Sequence, residues 1–286
     1  MAQYETPLTT LPGETPVRSR KWPLAGVMII DLVLIIVAVL VLSTVVGILF
    51  IVFRALQQGL PLGSLAGNQD QALKLLGPDG TFVSLLVQNG ICVLVPVLRV
   101  ALIRREPLAE IGFQAPAPGR LIMLGVGMAV VMYAGSIALS LAFAQFGIQQ
   151  NQAEQFKKQF SLMPGDTFGQ ALFLIGGGLL APIGEETLFR GYVFNAIRLT
   201  FLSKRWGIVL AYLGSALLFA SIHILGVTQG AVALIVPIFF IALVLAWGMH
   251  RTGSLLPGII AHALFNSVQL VALIYCVNNP GTCPNF

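Results

Sequence analysis

The sequence predicts an all-α protein, a polytopic transmembrane helix bundle of about seven spans, or eight if the fourth apolar run is divided. Three observations predict it. Hydrophobic residues make up 57% of the 286 residues and charged residues only 9%. A soluble domain carries about 25% charged residues, so this chain cannot cover a water-facing surface. The apolar residues are gathered into runs long enough to cross about 30 Å of hydrocarbon. Basic residues cluster at the ends of those runs, which is the topology pattern of a membrane protein. The net charge of +5 is thereby explained without nucleic acid; the lipid bilayer is the expected partner.

The elements follow in order. Residues 1–23 are polar and Pro/Thr-rich, and are expected to form a disordered cytoplasmic segment. The run from Leu24 to Phe53 is too long for the apolar part of a signal peptide and reads as the first span. A second span is expected at about 81–103, so that residues 24–99 form an N-terminal pair. Further spans are expected at about 120–147, 168–199, 206–224, 230–249 and 255–277, with a short tail at 278–286. In the fourth span, Gly176-Gly177-Gly178 and Pro182 mark a kink or a close helix contact. Its second half, with Arg190, Asn195 and Arg198, is more amphipathic. The loop at 54–80 is Gly- and Gln-rich and carries no clear signal. The loop at 148–166 places Gln155, Phe156, Phe160 and Leu162 around Lys157 and Lys158. It suits either a short helix lying on the membrane or a solvated loop.

Orientation follows from the basic residues. Arg18, Arg20, Lys21, Arg104, Arg105, Arg120, Arg198, Lys204, Arg205 and Arg251 all fall on one side, leaving Arg54, Lys74, Lys157 and Lys158 on the other. The N-terminus is therefore expected in the cytoplasm and, with seven spans, the C-terminus outside. Asp31 in span 1 and Arg99 in span 2 lie at similar depths, about 8–12 Å from the same face. A buried acid and base at one depth are expected to pair, with Gln88 and Asn89 as competing partners. Cys92 reads as a small core residue. Cys276 and Cys283 suit either a small disulfide on an oxidising side or two free thiols. The final Cys283-Pro284-Asn285-Phe286 fits a prenylation box only superficially, since Pro and Asn are not aliphatic.

Three short polar patterns interrupt the apolar helices: Glu185-Glu186-x-x-x-Arg190, Phe219-x-x-x-His223 and His262-x-x-x-Asn266. Each spans one helical turn and presents its end residues on one face. An ionisable group in hydrocarbon costs about 2.5–3.5 kcal/mol even on the lenient insertion scale, so such a set calls for a use. Glu186 and Arg190 suit an ion pair in the better orientation, which leaves Glu185 without a local partner and available as a base. The alternative is a buried ion pair plus a helix-end acid. His223 suits a structural hydrogen bond or a partner for the base. His262 and Asn266 suit either polar glue between helices or a pair of donors for an oxyanion. His250 beside Arg251 reads as interfacial. Counted from the basic span ends, Glu185, His223 and His262 lie at depths of about 20, 27 and 17 Å. All three are inside the membrane. The set points to a water-activating hydrolase buried in a bilayer.

In this order and on these helices, the three patterns resemble the type II CAAX prenyl endopeptidase and bacteriocin-processing family of intramembrane proteases. Thr252 to Asn266 is similar to the family's third motif, and Pro107-Leu108-Ala109-Glu110-Ile111-Gly112-Phe113 to the loop often found upstream of its core. The resemblance covers residues 100–277, the expected catalytic membrane domain; the first two spans lie outside it. It implies an intramembrane endopeptidase acting on a membrane-associated protein or peptide. Glu185 and His223 would activate a water, His262 and Asn266 would hold the oxyanion, and Glu186 and Arg190 would support the site. No cofactor is expected. The alternative is a zinc held by Glu185, His223 and His262, although the helical H-E-x-x-H of zinc proteases is absent. A non-proteolytic membrane binding or regulatory protein on the same scaffold is the competing function. A proton-coupled transporter would also want buried Glu and His, but no inverted repeat of broken helices is visible.

Overall fold

The structure is a computed structural model and describes residues 25–65, 67–147, 162–201, 206–223 and 231–283. Helix α1 is Ala25–Gln57. It buries Met28, Leu32 and Ile35 on one stripe and turns Ile29, Val33, Val37 and Leu40 outward, as expected of a helix with one face on protein and the rest in lipid. It packs against α2, Gln69–Leu98.

Helix α2 begins well before the expected residue 81. Asn68 caps it by accepting from Gln71 N. Gly77, at φ 63, breaks the helix, and Pro78 restarts it. A left-handed φ is cheap only for glycine, and proline suits the first turn of a helix. Arg54 at the end of α1 locks the break, donating from Nη1 to Leu75 O at 3.0 Å and Leu76 O at 3.3 Å and pairing through Nη2 with Asp79. The loop read from composition is therefore shorter and ordered by one arginine. At its far end α2 runs into a π turn, Arg99–Ile103. There Arg99 Nε meets Asp31 Oδ2 at 3.0 Å, the expected bridge between the first two spans. Tyr192 adds its hydroxyl to the same carboxylate.

Helix α3 is Pro118–Gln145, α4 is Thr167–Thr200, α5 is Gly207–Ile222, α6 is Ala231–Thr252 and α7 is Leu256–Asn278. Among the described residues, six helices are long and apolar enough to cross a membrane, and α5 is a shorter apolar one. About seven crossings result. The long fourth run stays within one helix path and supplies no eighth span. Before α3, a 3-10 turn at Leu108–Ile111 buries Ile111. The loop then pins to the start of α7, where Leu255 N donates to Gly112 O at 3.0 Å and Gln114 Nε2 to Gly253 O at 2.9 Å.

The main core surrounds the second half of α4, where every residue from 186 to 197 is buried. Residues from α1, α2, α5 and α6 close on it. Cys276 and Cys283 form a disulfide at the end of α7, and Cys92 is a buried free thiol. Leu162 is buried with Phe173, Leu273 and Val277. The rest of the expected surface segment, Gln155 to Phe160, lies outside the described residues, as do residues 1–24, Lys204 and Arg205.

Candidate active site

Helix α4 carries the paired glutamates, and its backbone is not regular. It is α-helical over Thr167–Ile175, π-helical over Gly176–Leu180, α-helical over Ala181–Glu185, π-helical over Glu186–Phe194 and α-helical again over Asn195–Thr200. Widened turns of this kind are rare and concentrate at functional sites. Proline explains one consequence. In the first π turn, Ala181 N donates to Gly176 O. The next carbonyl, Gly177 O, would look to residue 182, which is proline and has no N–H. Asn266 Nδ2, from α7, donates to Gly177 O at 3.0 Å. At the end of the second π segment, Asn195 Nδ2 serves Gly191 O at 3.0 Å. Two amides thus satisfy carbonyls that the widened turns set free, as a hydrocarbon environment demands.

The first motif forms the expected pair. Arg190 Nη1 meets Glu186 Oε1 at 3.0 Å, with both side chains almost fully buried. The guanidinium lies 4.2 Å above the centre of the Phe219 ring, a cation–π placement. Its Nη2 donates to Ala242 O at 3.4 Å. The same Glu186 oxygen accepts from His262 Nδ1 at 3.0 Å. A carboxylate can only accept, so Nδ1 carries the hydrogen. His262 Nε2 then faces Glu185 Oε2 at 3.8 Å. Gly258, one turn before His262, makes room for this carboxylate: a Cβ there would stand 2.9 Å from Glu186 Oε2.

His223 ends α5. Its Nδ1 lies 2.8 Å from Phe219 O. A carbonyl also only accepts, so Nδ1–H donates, and in the neutral ring Nε2 is left with its lone pair. Phe219 connects the imidazoles, with its ring centre 4.7 Å from that of His223 and 5.9 Å from that of His262. The sequence reading paired Glu185 with His223. The structure sets His262 Nε2 3.8 Å from Glu185, and the described residues show no direct hydrogen bond or ion pair between Glu185 and His223. Among the described residues, no three His, Cys, Asp or Glu side chains group closely enough to hold a metal.

Two contributors come from outside the three patterns. Asn89 on α2 is buried against Gly184, the residue before Glu185. Cys92, one turn further on the same face, lies within electrostatic reach of Glu185. An apolar groove of about 510 Å³ lies beside the site between α3, α4 and α7, lined by Ile122, Val126, Ile175, Leu179, Ile260 and Leu264. Gly178 and Ser267 also line it; each is the neighbour in sequence of a partner in the Asn266–Gly177 bond.

Residues 167–268 match the model of the family described as type II CAAX prenyl endopeptidase Rce1-like. The chain carries an Rce1-like domain. The domain begins with α4, ends within α7 and contains Glu185, Glu186, Arg190, His223, His262 and Asn266; α1, α2 and α3 precede it. No curated protein and no solved structure matches the chain. Over residues 167–268 the chain is thus similar to the type II CAAX prenyl endopeptidase family, on helices apolar enough to cross a membrane. Sequence reasoning named every motif residue of the domain but missed the roles of Phe219, Gly258 and Asn89. The first two stand within quoted motifs, so they were visible as letters. From the sequence, Asn89 reads only as a competing partner in the Asp31–Arg99 pair.

Proposed function

We propose that the chain is an intramembrane endopeptidase that hydrolyses a peptide bond of a membrane-associated protein or peptide with a water activated by Glu185. The observation that carries this reading is the shared Glu186 oxygen. It holds Arg190 and His262 at 3.0 Å each, so Glu186 is committed to structure and Glu185 is the carboxylate left for chemistry. A general base placed in a preorganised, water-poor site is worth about 10²–10⁴-fold.

Glu185 takes a proton from water while the water oxygen attacks the carbonyl carbon. His223 offers its bare Nε2 as a second acceptor that orients the water. The developing oxyanion is met by donors on α7: His262 through Nε2, and the second amide hydrogen of Asn266. Glu185 then returns the proton to the leaving amine, the C–N bond breaks, and the carboxyl and amine products separate. No step in this reading passes through a metal. The apolar groove between α3, α4 and α7 gives a substrate segment a sideways route from the lipid.

The test is cleavage of a fluorogenic membrane-anchored peptide by the purified protein in detergent. Glu185→Gln keeps the shape and removes the basicity, and turnover should fall by at least about 10²-fold at an unchanged melting temperature. Full activity in Glu185→Gln overturns the reading. Loss of activity with a chelator, restored by zinc, replaces it with a metal-dependent one.

A further inference from the structure

The unexplained group beside the site is Asn89. It is 4% exposed, sits on α2 outside the Rce1-like domain, and is only half satisfied. Its Nδ2 donates to Leu85 O at 2.9 Å, while its Oδ1 has no hydrogen-bond partner among the described residues. The orientation of the amide is fixed by chemistry. Leu85 O can only accept, so the nitrogen must face it and the oxygen must face the other way. That way lies Gly184. A Cβ on Gly184 would stand 2.5 Å from Asn89 Oδ1, 2.8 Å from its Cβ and 2.9 Å from its Cα. The oxygen therefore lies against the turn that carries Glu185. Cys92, three residues along, lies on the same helix face. This face of α2 packs on the turn that carries Glu185.

A buried acceptor left unmet is costly and rare. The charged Glu185 cannot meet it, since a carboxylate has no hydrogen to give. The carboxylic acid can. We propose that Asn89 is a positioning residue for Glu185, its Oδ1 accepting the O–H of the Glu185 carboxyl while Glu185 holds the proton taken from water. This rests on Glu185 being the general base. The balance is simple. One water O–H breaks and a Glu185 O–H forms. That O–H bonds to Asn89 Oδ1, and the proton then leaves with the amine. The contact exists only after proton transfer has begun, so it favours the transition state and the intermediate over the resting site. It also gives the N-terminal helices a part in the chemistry of a domain that begins at residue 167.

Infrared difference spectroscopy of the full-length protein in lipid nanodiscs, acidified stepwise, tests this without a substrate. The carboxylic C=O band absent from Glu185→Gln belongs to Glu185. In Asn89→Ala that band should move to higher wavenumber, because its O–H has lost an acceptor. On the fluorogenic membrane-anchored peptide, Asn89→Ala should lower kcat about tenfold, the net worth of one hydrogen bond, and leave KM within about twofold. Asn89→Ser, which keeps a small acceptor oxygen and is the second variant should Asn89→Ala fold poorly, should recover part of the band position and of the rate. An unshifted band in both variants, with Glu185→Gln inactive, overturns the role of Asn89 and leaves the general-base reading standing. An active Glu185→Gln overturns both.

Discussion

His262 donates its Nδ1–H to Glu186 Oε1 at 3.0 Å, the oxygen that also receives Arg190. One carboxylate oxygen thus joins α4 to α7 and fixes which imidazole nitrogen remains for the site. The hydrogen bond runs to a charged acceptor in a buried setting, so it is among the stronger kind.

Glu186→Gln should therefore unfold the domain more readily than it changes the chemistry. The amide keeps an acceptor for His262 but leaves the buried Arg190 without its counter-charge. Breaking a buried pair by removing one partner costs about 3–5 kcal/mol. The melting temperature in detergent should fall clearly, whereas in Glu185→Gln it should not. Equal melting temperatures for the two variants would refute the division of labour between them.

Asn266 should show a dual dependence. Its bond to Gly177 O exists because Pro182 withholds an N–H, so Pro182→Ala should make that bond partly redundant. The stability lost in Asn266→Ala should then be smaller in a Pro182→Ala background. The two losses should depart from additivity by about 0.5–3 kcal/mol, the range for residues sharing a partner. Activity should behave differently. Asn266→Ala should lose about 10²–10³-fold in kcat through the oxyanion in either background. Strict additivity in stability would show that the proline and the amide are unrelated.

Most of the fold was legible because hydrocarbon is an exacting solvent. Runs such as Leu24 to Phe53 have no other reading, and Asp31 and Arg99 at one depth are natural partners even with Gln88 and Asn89 in competition. The site was legible as motif letters for the same reason, since Glu186, Arg190 and His262 are too polar to be there by accident. What the sequence hid was backbone register. The α2 start at Gln69 depends on a left-handed Gly77 and on Arg54 reaching the Leu75 and Leu76 carbonyls, contacts between residues far apart in the chain. The π turns of α4 likewise move side chains around the helix axis. The side chain that faces Glu185, His262 with Nε2 at 3.8 Å, stands on another helix and is not legible from spacing along α4. Asn89 was hidden because no local pattern links it to Gly184.

The Asp31–Arg99 bridge should prove to be a three-way joint. Arg99 Nε meets Asp31 at 3.0 Å and the Tyr192 hydroxyl donates to the same carboxylate. The joint ties α1 and α2 to the core stretch of α4. Tyr192→Phe removes only the hydroxyl and should destabilise the protein. The effect should shrink when Asp31 is already Asn, with a coupling of about 0.5–3 kcal/mol. Thermal unfolding of the two single variants and the double variant in detergent measures it; a coupling of zero would mean that the bridge does not include Tyr192.

The last prediction concerns which side of the membrane holds the C-terminus. The distribution of basic residues argues for a cytoplasmic N-terminus, and seven crossings, with the shorter α5 counted among them, then carry the end of α7 outside. Cys276 and Cys283 are paired there, and disulfides persist in oxidising compartments but not in the cytosol. The two arguments are independent and agree. In intact cells, a membrane-impermeant maleimide should label the wild type only after mild reduction, through the thiols of Cys276 and Cys283, because Cys92 is buried. A Ser203→Cys variant should be labelled only once the cells are opened. Labelling of Cys276 or Cys283 without reductant would mean that the pair is open. Labelling of Ser203→Cys from outside intact cells would invert the topology.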